Sequence, residues 1–125
     1  MSAPTVSKKK ESAGRDEAVN EVRLVGRISQ SPEERVLPSG DVLWTFRVVV
    51  PRTAVRAGSR QVVDALDCAV WGGRVRRSVA SWVEGDLVEV TGAVRRRFFR
   101  AGGAAASRVE VEVTGGRLIR RATSG

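Results

Sequence analysis

The sequence predicts an all-β domain of five short strands, with one helix between the third and the fourth. Three observations carry that expectation. Five separate runs alternate apolar and polar residues with period two, as half-buried strands do. Clusters of Gly, Pro and Ser stand between the runs and read as turns. In one place, after Gly72-Gly73, the apolar period lengthens to that of a helix. At 125 residues the chain suits one domain, long enough to bury a core without metals or disulfides.

Residues 1–18 carry Pro4, Gly14 and Lys8-Lys9-Lys10 but almost no bulky apolar side chain, so they are expected to form a disordered tail. The domain is expected over 19–120, with 121–125 as a short C-terminal end. Strand one starts at Val22, where Val22, Leu24 and Ile28 share a face with Gly26. Pro32, Pro38, Ser39 and Gly40 then read as turn formers before strand two, in which Val42, Trp44, Phe46, Val48 and Val50 alternate up to Pro51. Trp44 and Phe46 share the parity of those valines and are expected to fill the barrel. Arg52–Gln61, with Gly58 and Ser59 near its centre, reads as a long hairpin loop. Strand three, Val62–Trp71, sets Leu66, Cys68 and Val70 on one face and Ala65, Asp67, Ala69 and Trp71 on the other. Val75, Val79, Trp82 and Val83 then form one helical stripe that stops at Gly85. Strand four, Leu87 to about Phe99, turns Val88, Val90 and Val94 inward and Arg95, Arg97 and Phe99 outward. Ala101–Ala106 reads as a turn, and Val109, Val111 and Val113 alternate in strand five. This order of elements is that of the OB-fold, a five-stranded Greek-key barrel.

Twenty-two basic residues stand against 14 acidic ones, a formal charge of +8, of which +7 falls outside the tail. Such an excess speaks about partners, and nucleic acid comes first among them, ahead of acidic proteins and anionic membrane surfaces. No histidine and a single cysteine leave no His/Cys zinc site, Ser-His-Asp triad, Cys-His dyad or internal disulfide to one chain. Acids are scattered without a metal-ligand pattern, so neither an enzyme nor a cofactor is expected. No run approaches the ~18 apolar residues of a membrane span, and no apolar segment follows the N-terminal lysines as in a secretory signal. A cytoplasmic, nucleoid-associated protein with no membrane contact is expected.

Outward parity gives Trp71 and Phe99 a role that core packing does not. An aromatic ring on an exposed basic face stacks bases irrespective of sequence, and guanidinium groups beside it neutralise phosphates. Arg95, Arg97 and Arg100 lie beside Phe99, and Arg52, Arg56 and Arg60 in the long hairpin can fold over a strand of nucleic acid. Arg74, Arg76 and Arg77 fit either a solvated helix face or a backbone grip, and the sequence does not choose between them. Cys68, between Leu66 and Val70, reads as a buried thiol.

The segment Asn20-Glu21-Val22-Arg23-Leu24-Val25-Gly26-Arg27 resembles the opening block of bacterial single-stranded-DNA-binding proteins. Pro32-Glu33-Glu34-Arg35, Pro38-Ser39-Gly40, Phe46, Val70-Trp71-Gly72 and Gly85-Asp86-Leu87-Val88-Glu89-Val90-Thr91-Gly92 are similar to its later blocks, in the same order, so that the likeness covers roughly 19–118. The resemblance implies an OB-fold that binds single-stranded DNA in replication, recombination or repair, assembled as a homotetramer, with a dimer the other possibility. Trp71 and Phe99 fall on that family's stacking positions, and Arg35 completes the candidate DNA-binding set. Two further stacking tryptophans of the family fall near Ala54 and on Ala65, so weaker stacking offset by salt-sensitive arginine contacts is expected. The family's replicative members end in an acidic tip that recruits other proteins. This sequence ends Arg120-Arg121-Ala122-Thr123-Ser124-Gly125, and recruitment through such a tip is not expected. An OB-fold interaction subunit of a primosome-like complex and an RNA-binding module are the competing readings.

Overall fold

The computed structural model describes residues 17–54 and 56–123. Its elements are β1 (Val22–Val36), β2 (Val42–Pro51), β3 (Val63–Val70), α1 (Val75–Ala80), β4 (Leu87–Ala101) and β5 (Ala104–Arg120). The strands close a barrel in the order β1-β2-β3-β5-β4, which with α1 between β3 and β4 is an OB-fold. Most of the expected N-terminal tail lies outside the described residues.

β1 serves two neighbours. Val22–Arg27 pairs with β4 and Arg27–Val36 with β2, and two register shifts between Ile28 and Glu33 bend the strand from one partner to the other. Pro32 therefore does not end the strand, as its turn-forming character suggested. It sits inside the second irregularity, where a missing N–H leaves no ladder bond unmade. The turn lies wholly in Leu37–Asp41, closed by two 2.8 Å backbone bonds with Gly40 at φ 93°.

The expected turn Ala101–Ala106 shrinks to Gly102-Gly103, both at positive φ. Ala104–Ala106 belong to β5, which runs 17 residues rather than only around Val109–Val113. Small residues at both ends of β5 show no apolar alternation, so pattern alone does not mark them as strand. Where β4 crosses β5, Gly92 lies so close to the Glu112 carbonyl that any Cβ would collide with it.

The core is built from Ile28, Phe46, Val48, Cys68, Val70, Val88, Val90, Val111 and Val113, with Val75 and Val79 of α1 plugging one end. Trp82 is buried, but beyond the helix, and meets Phe46 edge-on at 5.7 Å. Val83, expected on the helical stripe, is half exposed because α1 stops at Ala80. The Ser81 hydroxyl donates to the Ser78 carbonyl, and the Val83 amide turns to a carboxylate oxygen of Asp86. β2 also departs from simple parity: Leu43 is fully buried on the outward side, while Trp44 only half enters the core. Burial pushes the Cys68 thiol up to about 12, with the charges of Asp67 and Glu110 adding to it, so it stays protonated.

Asp86 is fully buried and fully occupied. It accepts from the amides of Val83 (3.0 Å) and Ala122 (2.8 Å) and from the Arg121 guanidinium (2.9 Å), which ties the end of β5 to the loop after α1. Desolvation opposes its charge, yet the two amides and Arg121 outweigh it and hold the carboxyl below its ordinary value. Glu89, held between Arg23 and Arg117, is likewise lowered, chiefly by the hydrogen bond from Arg23.

Two predictions follow from the packing. Gly92→Ala is expected to lower the unfolding free energy by about 1–3 kcal/mol, since the strand crossing must open, and urea denaturation reads this as a lower midpoint at unchanged slope. A carboxyl depressed in the folded state stabilises above its unfolded pKa, near 4, and that contribution disappears as pH falls through the lower folded value. The melting temperature should therefore drop on acidification below about pH 4, with a smaller drop in Asp86→Asn, whose stability is already reduced at neutral pH.

Candidate nucleic-acid interface

Alternation along β2, β3, β5 and β4 lays one set of side chains on the outside of the barrel. In register across that surface, Arg47 opposes Asp67, Arg95 opposes Glu110, Arg97 opposes Arg108 and Phe99 opposes Ala106. Trp71 follows directly on β3 and is 38 % exposed, and Phe99 near the end of β4 is 42 % exposed. Phe98 is more exposed still, at 76 %, but takes the opposite parity of β4.

One chain of contacts joins the two outward rings. The Arg97 guanidinium lies 4.9 Å from the centroid of Trp71, and its Nε is 3.6 Å from Glu110. Glu110, almost fully buried, also faces Arg108 at 3.9 Å, and Arg108 lies 5.6 Å from the Phe99 centroid. The sequence Trp71, Arg97, Glu110, Arg108, Phe99 thus crosses from β3 to the β4–β5 hairpin. A guanidinium that gives part of its fork to a carboxylate and rests on a ring keeps other N–H donors for an incoming phosphate. Each ring is held by a cation and keeps an accessible portion for a base.

The remaining candidates separate by their partners. Arg95 is paired to Glu112 at 2.8 Å, and Arg52 grips Asp64 with Nε and Nη2. Arg100 donates to the Gly103 carbonyl at the hairpin tip. Arg56 and Arg60 stand exposed in the long loop with no carboxylate partner among the described residues. Arg35 opposes Leu43, one row beyond the Trp44–Val70 pair, so it falls in the outward row that leads to Trp71. Arg74, Arg76 and Arg77 do not join this face. They line a cleft between α1 and the β1–β2 hairpin.

Sequence reasoning passed over Arg108 and Glu110. Arg108 had the outward parity of Arg95 and Arg97, which was signal enough. Glu110 needed the register, because only Arg97, diagonally across on β4, together with Arg108 two residues before it on β5, explains a buried carboxylate there. Among the described residues no group of acids, Cys or His is placed to hold a metal ion, and no helix is long and apolar enough to cross a membrane.

The sequence profile of the Single-strand binding protein family matches residues 19–118. The chain is 34 % identical over 80 residues to Single-stranded DNA-binding protein A of Bacillus subtilis, covering 63 % of this chain and 46 % of that protein. To Single-stranded DNA-binding protein 1 of Lactococcus lactis it is 29 % identical over 79 residues, covering 63 % and 53 %. These matches span about half the length of either relative. Among solved structures, the Plasmodium falciparum SSB complex with ssDNA superposes with a TM-score of 0.66 at 19 % identity, covering 84 % of this chain and 96 % of that one.

Glu110→Gln should release Arg97 from its position over Trp71. The expected outcome is a weaker near-ultraviolet circular dichroism signal from the indole and a loss of about 1–3 kcal/mol in stability, read by denaturant unfolding.

Proposed function

Because the chain belongs to the single-strand binding protein family, we propose that it binds single-stranded DNA without sequence preference, on the outward face that runs from Trp71 to Phe99. The observation that carries this reading is the contact chain Trp71, Arg97, Glu110, Arg108, Phe99, which alternates ring and cation across the barrel. Bases stack on the two rings and phosphates meet the free edges of Arg97 and Arg108. Arg95 and Arg100 extend the cationic margin along the hairpin, and Arg35 extends it on β1. The loop that carries Arg52, Arg56 and Arg60 folds over the strand.

The binding unit is 19–120, and the protein binds rather than catalyses. It works on exposed chromosomal single strands in replication, recombination or repair, as an oligomer of identical subunits, tetrameric by resemblance to its family. Alanine at positions 54 and 65 leaves two stacking platforms on this face where others of the family have more, so arginine contacts carry a larger share of the affinity.

Trp71→Ala is expected to weaken the binding of labelled oligothymidine by about 1–3 kcal/mol, followed by fluorescence anisotropy, with little change in melting temperature. Equal affinity in the variant would refute the stacking role. In wild type, log affinity should fall with log salt by about 0.7 for each phosphate neutralised.

A further inference from the structure

The cleft between α1 and the β1–β2 hairpin has about 1030 Å³ of open volume and lies outside the face described above. Its walls include Arg74, Arg76 and Arg77 on one side, half-buried Trp44 on the other, and a single carboxylate, Glu34. None of the three arginines has a carboxylate partner among the described residues, whereas Arg47, Arg52, Arg95, Arg97 and Arg108 each have one.

Helix stability accounts for Arg77, in the last turn of α1, but not for Arg74 and Arg76. α1 has six residues and no acid in its first turn, Arg74 stands at its N-cap and Arg76 follows in that turn, at the end where the helix dipole repels positive charge. Arg74 and Arg77 are spaced i, i+3, where like charges oppose each other. The arrangement is unfavourable until an anion enters. Only Gly72-Gly73 separates Trp71, on the outward face, from Arg74, and at both glycines the space a side chain would take is open. The turn that a strand leaving Trp71 would cross carries no side chain of its own. At the far side the strand finds an indole across the cleft from three guanidinium groups.

We propose that this cleft is a second contact site for the same single strand, in which a base stacks on Trp44 while Arg74, Arg76 and Arg77 hold the adjacent phosphates. The assignment rests on the reading that the protein binds single-stranded DNA, and it extends the path around the end of the barrel. A cleft with an indole on one wall and cations on the other favours a nucleotide over an acidic peptide, which offers charge but no ring.

Two variants test it. The triple variant Arg74→Gln, Arg76→Gln, Arg77→Gln alters exposed residues only, and circular dichroism checks its fold. Against oligothymidines across the ~4 to 16 nucleotides that one OB barrel covers, it should match wild type on the shortest and lose about tenfold or more on the longest. Its salt slope on the longest should be shallower by about 2, three phosphates at 0.7 each. Lysine at the same three positions should restore the slope. In Trp71→Phe, the remaining tryptophans are Trp44 and buried Trp82, so quenching by long but not short oligothymidine reports a base at Trp44. Identical length and salt dependence in the triple variant and wild type, or no residual quenching in Trp71→Phe, overturns the cleft while leaving the outward face standing. Quenching of Trp44 by poly-glutamate but not by oligothymidine overturns it in favour of an acidic protein segment. Failure of wild type to bind any oligothymidine overturns both readings.

Discussion

Two residue pairs hold the barrel shut. β3 and β5 run parallel and meet only at Cys68 with Val111 and Ala69 with Glu112, whereas every other neighbouring pair of strands is antiparallel and longer. This short seam decides what the outside of the barrel can do. It fully buries Ala69 although that residue points outward, and it sets the end of β3 against the middle of β5. Trp71, two residues beyond Ala69, reaches Arg97, and through it Glu110, only because of it. Without the seam the two outward rings would stand at opposite edges of one open sheet.

Much of this was legible in the sequence. Period-two alternation placed the five strands, the glycine pair and the valine spacing placed α1, and parity alone set Trp71 and Phe99 outward. What stayed illegible has physical causes. Pro32 has the chemistry of a turn, and nothing local says that it falls at a register irregularity. Ala104–Ala106 have no apolar pattern and pair through backbone bonds alone. Asp86 reads as a solvent-facing turn residue until Arg121 and Ala122, thirty-five and thirty-six positions away, are seen bonded to it. The face itself was half legible. Parity found its rings and two of its arginines, but which carboxylate holds which guanidinium is a matter of cross-strand register, and one chain does not disclose its own register.

Pairing also changes the meaning of the net charge. A formal +8 suggests a uniformly attractive surface, yet on the outward face the arginines of β2, β4 and β5 are largely matched by Asp67, Glu110 and Glu112. Matched cations keep their donors in fixed directions and contribute orientation, while unmatched ones contribute most of the field. Among the described residues without a carboxylate partner, Arg56 and Arg60 stand in the long β2–β3 loop and Arg74, Arg76 and Arg77 at the α1 cleft, while Arg27, Arg35, Arg96, Arg100 and Arg120 are spread over the strands.

Beyond Val94 and Val111 the β4–β5 hairpin has no third strand beside it among the described residues. Asn20 pins the base of this ribbon, exchanging two hydrogen bonds with the backbone of Val94, and a register shift between Thr91 and Gly92 lies just below. Two-stranded ribbons twist more freely than sheets. Trp71 rides on the closed barrel and Phe99 on this cantilever, so the distance between the rings is the most compliant dimension of the face. A ruler with one soft end tolerates a change of stride: in the proposed binding mode purines and pyrimidines, stretched or slack backbones, are met by flexing a ribbon rather than by repacking a core.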